Sequence, residues 1–117
     1  MAKRPPPDRP AVTKAALVTL QRAGYRILDH DWTSGDGHHL DVVAETPGKA
    51  LTAVWVLAPS RADIEHRART MAKSHIRRLR AAAVAWATAH GRRYAVIQVD
   101  VFGLDRDGRP VHVKAVS

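Results

Sequence analysis

The hydrophobic positions of this chain change period several times, and each change marks an element. From Ala11 to Ala23, Val12, Ala16, Leu17, Leu20 and Ala23 recur at helical spacing, and Gly24 supplies a stop. Residues 25–32 mix Tyr, Ile and Leu with polar positions, which predicts a strand. A turn rich in Ser, Gly and Asp over 33–37 leads to a second strand at 38–45, and the Pro47-Gly48 pair turns the chain into a third at 50–57. Pro59 ends that strand, and Ser60 is placed to cap one long helix over about 61–90. In that helix Ile64, Ala68, Met71, Leu79, Ala82 and Trp86 share a face, with Ile76 and Ala83 at its edge and Gly91 closing it. Tyr94 to Phe102 is an almost unbroken apolar run, which predicts the most buried strand, and residues 111–116 alternate as a short last one. The order α-β-β-β-α-β-β predicts an α/β fold, a mixed central sheet flanked by helices, in a single domain over 11–117. Residues 1–10 are basic and proline-rich with no apolar face, so a disordered arm is expected there.

Length and composition narrow the chemistry. A chain of 117 residues suits one compact domain. The absence of cysteine excludes disulfides, zinc–thiolate sites and a thiol nucleophile. No stretch has the apolar core of a signal peptide or the length of a membrane span, so a cytoplasmic protein without a membrane partner is expected. Nineteen Lys and Arg against eleven Asp and Glu leave a net charge of +8, which favours polyanionic partners. Arg69, Lys73, Arg77 and Arg80 follow one another at steps of four, four and three, which stacks them along one side of the predicted helix, with Arg67 and Arg78 on its other flank. Such a ridge suits the phosphates of DNA or RNA, contacts that position a protein without reading sequence. No helix-turn-helix, zinc finger or RNA-recognition signature accompanies it.

One acid stands out. Asp41 lies inside the apolar segment that follows Gly35-Asp36-Gly37-His38-His39-Leu40, where a valine would be easier to bury. Two positions before it, His39 faces the same side of the strand, and His30 or His38 is the nearest third ligand for a transition metal that accepts imidazole and carboxylate together. His75 falls within the apolar arc of the long helix, which predicts a core histidine with a hydrogen-bonded ring.

The succession Arg22-Ala-Gly-Tyr-Arg-Ile-Leu-Asp-His-Asp-Trp32, then Gly37-x-x-Leu40-Asp-Val-Val-Ala44, resembles the YraN family, a bacterial group with a restriction-endonuclease-like fold. The resemblance continues through Ala53-Val-Trp-Val-Leu57, Arg78-Leu-Arg80 and Val99-Asp-Val101, from about Ala11 to Phe102. It implies a form of the PD-(D/E)xK nuclease signature, with Gly-Glu-Leu-Asp on the second strand and Val-Glu-Val-Lys on the third. There, carboxylates on neighbouring strands hold magnesium and the lysine supports the attacking water and the developing phosphate charge. In this chain Asp41 matches the aspartate, but His39, Trp55 and Leu57 stand at the second-strand glutamate, the third-strand glutamate and the lysine, and Thr13 stands near a first-helix acid. The expectation is therefore a catalytically silent domain without a cofactor, binding nucleic acid through the basic helix, with Asp41 a structural acid and Trp55 and Leu57 filling the former ionic site. Two alternatives stay open: an active metal-dependent nuclease using His39 and Asp41 with a divalent metal, and a small protein-interaction domain with no nucleic-acid role. A base-stacking role for Trp55 is a further option.

Overall fold

The computed structural model of the protein describes residues 8–57 and 63–117. Its elements, in chain order, are α1 (Arg9–Arg22), β1 (Arg26–Thr33), β2 (His39–Glu45), β3 (Leu51–Val56), α2 (Ile64–Arg69), α3 (Lys73–Ala89), β4 (Ile97–Leu104) and β5 (Pro110–Val113). The five strands form one sheet in the order β1-β2-β3-β4-β5. Neighbours are antiparallel except β3 and β4, which run parallel and are joined through α2 and α3. A parallel pair needs such a crossover, because a short turn can only reverse the chain. The result is a mixed sheet flanked by helices, the arrangement of restriction-endonuclease-like domains.

Both faces of the sheet are covered, which is why its inner strands read as apolar runs rather than as alternation. On one face Val12, Ala16 and Leu20 of α1, four residues apart, pack with Val42, Ala44, Val54, Val56 and Phe102. On the other, Ile64, Ala68, Ile76, Leu79, Ala83 and Trp86 of α2 and α3 pack with Val43, Leu51, Ala53, Val99 and Val101. Each large side chain removed from water in this way contributes about 1.5–3 kcal/mol. Gly103 lets α2 lie close on β4, since a Cβ there would fall 2.6 Å from Ile64 Cδ1.

Several boundaries differ from those expected. The single helix over 61–90 is two helices. Thr70 ends α2, its hydroxyl donating back to the His66 carbonyl at 2.8 Å, and Ala72 is the extended residue from which α3 starts, without a side-chain cap. The cap at the start of α2 is Asp63, whose carboxylate accepts from the His66 N–H; Ser60 lies outside the described residues. Helix α1 begins at Arg9 with Asp8 as its N-cap and proline in its first turn, so Arg9 and Pro10 are helical rather than part of a disordered arm; residues 1–7 lie outside the described residues. The middle strand is β3. The run from Tyr94 enters the sheet only at Ile97, and Val96 is exposed. The last strand is four residues long, after which the Val116 N–H returns to the Val99 carbonyl. Among the described residues no helix is long and apolar enough to cross a membrane.

Candidate functional site at the end of the β2–β3 ladder

The β2–β3 ladder ends at the Val42–Val54 pair, although the strands run on to His39 and Val56. Asp41 stands at this parting. Its Oδ2 accepts the Val56 N–H at 2.9 Å, so a side chain takes the ladder position a main-chain carbonyl would fill. Its Oδ1 accepts from Arg9 Nη2 at 3.0 Å and lies 3.0 Å from His39 Nε2. Asp41 is 5% exposed, whereas the side chains of Arg9 and His39 are 50% and 49% exposed. The acid is therefore buried and satisfied, but the groups that satisfy it reach solvent.

The ring of His39 is held at both nitrogens. Nδ1 lies 3.0 Å from Thr33 Oγ1, and with the Asp41 carboxylate accepting at Nε2, the Thr33 hydroxyl donates to Nδ1. Asp31 completes a group of three: one ligand atom from each of Asp31, His39 and Asp41 lies within 4.8 Å of the others. The backbone of Asp31 is left-handed, at φ +49°, an arrangement that aspartate tolerates better than most residues. His30 is not in this group; its Nδ1 faces Asp31 Oδ2 at 3.5 Å. Nor is His38, whose N–H bonds Ser34 Oγ in the turn. The third member expected from the histidines is thus an aspartate on β1, which no sequence spacing pointed to. Arg9 was missed as well, although Asp8 followed by Pro10 is a helix-start signal.

Trp55 is partly buried, with the His75 ring edge-on at 4.4 Å between centroids and the Arg67 guanidinium 5.6 Å from its ring centre. The expected hydrogen-bonded core environment of His75 is replaced by this half-buried aromatic contact, and no hydrogen bond to its ring occurs among the described residues. Burial lowers the His75 pKa, the Arg78 charge lowers it further, and the Asp41 carboxylate opposes both. Leu57 is fully buried in the core under α2 and α3. Thr13 is buried, its hydroxyl donating to the Arg9 carbonyl one turn back.

The basic residues do not form one ridge, because the helix breaks between them. Arg69 ends α2, 3.9 Å from Glu65, while Lys73, Arg77 and Arg80 ride on α3. All four are exposed, and among the described residues none of the three on α3 has an acid within ion-pair distance. Helix α3 contains no Asp or Glu, whereas Lys73, Arg77, Arg78 and Arg80 all lie in its first half.

Residues 13–101 match the uncharacterised protein family UPF0102. The chain belongs to the UPF0102 family. It is the group that the sequence resemblance named as YraN. A UPF0102 protein of Mycobacterium sp. (strain KMS) is 33% identical over 95 residues, which cover 80% of this chain and 69% of the relative. Another, from Renibacterium salmoninarum, is 35% identical over 81 residues, covering 69% of this chain and 67% of the relative. The matched region takes in β1 to β3 with Asp31, His39 and Asp41, and leaves Arg9 just outside.

Proposed function

We propose that this UPF0102 chain is a nuclease-like domain that binds the phosphate backbone of DNA or RNA without cleaving it, in the cytoplasm. The observation that carries the proposal is the charge of α3, four exposed cations over two turns with no acid in the helix. Cations that have no acidic partner among the described residues, on a chain of net charge +8, suit a row of phosphates, whose condensed counterions they release on binding. Two features argue against hydrolysis. Trp55 and Leu57 stand where the resemblance implies a carboxylate and a lysine, and both oxygens of Asp41 are already engaged by protein donors. The grouping of Asp31 with His39 and Asp41 favours a second reading, a metal-dependent nuclease built on those ligands.

Binding to duplex DNA at several salt concentrations tests the first reading. Contacts from Lys73, Arg77 and Arg80 give a slope of log affinity on log salt near about −2.7, and the double reversal Lys73→Glu, Arg77→Glu flattens it by about 1.8. Arg69 adds a further contact only if its pairing with Glu65 gives way. A chain shortened to start at Asp8 isolates any contribution of Lys3 and Arg4; starting at Ala11 would also remove the α1 cap and the Arg9 partner of Asp41. An unchanged slope in the double reversal overturns the α3 interface. No binding at low salt by the parent chain moves the function to protein interaction. Magnesium- or manganese-dependent cleavage that disappears in His39→Ala establishes the second reading instead.

A further inference from the structure

We infer that Trp55 and Arg67 form a seat for an unpaired nucleobase beside the cations of α3, so that the strand favoured there is a single one. This rests on the phosphate-binding reading of α3 and narrows its ligand from nucleic acid in general to an unpaired stretch of DNA or RNA.

The seat is open where the rest of the core is closed. The β2–β3 ladder ends one residue before Trp55, which keeps a strand partner only on the β4 side, at Val101. Its indole is partly exposed on the face of the sheet that α2 and α3 cover. The Arg67 guanidinium lies 5.6 Å from the ring centre, near the outer limit of about 6 Å for a cation–π contact. A pair that loose opens by a swing of the long Arg67 side chain. A planar base then fits between indole and guanidinium, the two kinds of surface on which unpaired bases stack. His75 meets the indole edge-on, at 76° and 4.4 Å between centroids, which fixes the orientation of the ring and lowers the cost of ordering it on binding.

Trp86 supplies the contrast. The Arg92 guanidinium also lies 5.6 Å from its ring centre, but that indole is 1% exposed, the His90 ring is stacked on it at 4.3 Å, and its N–H donates to Asp29. Trp86 is an arginine-covered tryptophan sealed into the core; Trp55 is one left reachable. Cations for the flanking phosphates are at hand. Arg78 stands one turn beyond His75 on the same side of α3, and Lys73 and Arg77 are exposed on the same half of the helix. A duplex, whose bases stay paired and stacked, can use these cations but not the indole.

Fluorescence anisotropy of the full chain with an end-labelled oligothymidylate of about twelve residues, and with a duplex of the same length, tests the assignment. At equal salt the single strand is expected to bind about tenfold more tightly than the duplex. Trp55→Leu keeps an apolar side chain without a π face and removes that preference, yet leaves the salt slope as it was because no charge is lost. Arg67→Lys keeps the charge without the plane and lowers single-strand affinity about two- to fivefold. Unlabelled oligothymidylate quenches the tryptophan emission of the parent and quenches Trp55→Phe less, a readout that stands even if the leucine variant does not fold. Equal affinity of the parent for both ligands, without quenching, overturns the base seat and leaves the α3 interface standing. Equal weakening of both ligands in Trp55→Leu overturns it too, since it marks a packing role. Thymidine monophosphate competing as well as the strand, nucleotide for nucleotide, overturns the strand as the ligand. No binding of either ligand at low salt overturns the base seat together with the phosphate reading.

Discussion

Two buried aspartates, Asp41 on β2 and Asp100 on β4, face different fates in the same sheet. Asp100 is wholly enclosed. Its Oδ2 accepts from the Tyr25 hydroxyl at 3.1 Å and lies 2.8 Å from His112 Nε2, while Oδ1 accepts from Gln98 Nε2 and the Ala115 N–H. The His112 side chain is itself only 8% exposed. Burial on its own raises the Asp100 pKa, but the hydrogen bonds from His112 and Ala115, with the His112 charge and Gln98, outweigh it and hold the carboxyl below the ordinary aspartate range. Asp41 is nearly as buried, yet Arg9 and His39 connect it to water. Burial of an acid therefore says little about function; the accessibility of its partners separates a brace from a candidate site.

The largest expected effect is at Asp100. Asp100→Ala strips the partner from buried His112 and Tyr25, and breaking a buried pair in this way costs about 3–5 kcal/mol. That is a large share of the roughly 5–15 kcal/mol that stabilises an ordinary domain, and urea unfolding measures it. Asp100→Asn, closer in shape, reports the charge alone if the alanine variant does not fold.

Asp41→Ala should cost less, about 1–3 kcal/mol, chiefly for the Val56 N–H left without an acceptor. A larger loss at Asp41 than at Asp100 would reverse the comparison.

Acid and base sharpen it. The folded Asp100 pKa lies below the unfolded value near about 3.9, so its contribution is present above that pH and is lost as pH falls through the lowered folded value. Tyr25 moves the other way: burial, then the Asp100 charge and hydrogen bond, raise its pKa. Its contribution is present below the unfolded value near about 10 and is lost as pH rises toward the raised folded value. Asp100→Asn should flatten the acid limb of a stability–pH curve, and Tyr25→Phe the alkaline limb. An acid limb unchanged in Asp100→Asn would mean that other carboxylates carry it.

The smallest effect is at Arg9. Its half-exposed pair with Asp41 is screened by water, so Arg9→Ala should cost below about 1 kcal/mol in the same unfolding assay.

The strands and their order were legible because period and turn chemistry agreed. The Pro47-Gly48 turn joins β2 to β3 as expected, and Val42 to Ala44 fill both faces of a covered sheet. Asp41 was legible as an anomaly, and its isolation from a third-strand carboxylate followed from Trp55 and Leu57. The helix break at residues 70–72 was not, since Thr70-Met71-Ala72 contains no glycine or proline and Met71 continues the apolar arc. Arg9 was hidden by the prolines around it, whose composition suggests disorder even where Asp8 caps a helix. Asp100 passed as one more residue of an apolar run because its partners stand elsewhere, Tyr25 just before β1 and His112 on β5. Asp31 joins the site through its backbone twist and through pairing of β1 with β2, neither of which spacing encodes.

The parallel pairing of β3 with β4 has a consequence for how the protein is made. The three strands up to Val56 are sequential hairpins that zip as they emerge, but Leu51 meets Ile97, forty-six positions later. At about 5–20 residues per second, a ribosome leaves the open side of β3 waiting roughly two to nine seconds for its neighbour. Leu51-Thr-Ala-Val-Trp-Val56 is apolar and uncharged, the kind of strand that recruits a second nascent chain when left bare. Yield on overexpression should therefore respond to translation speed and to holdase chaperones more than the compact product would suggest.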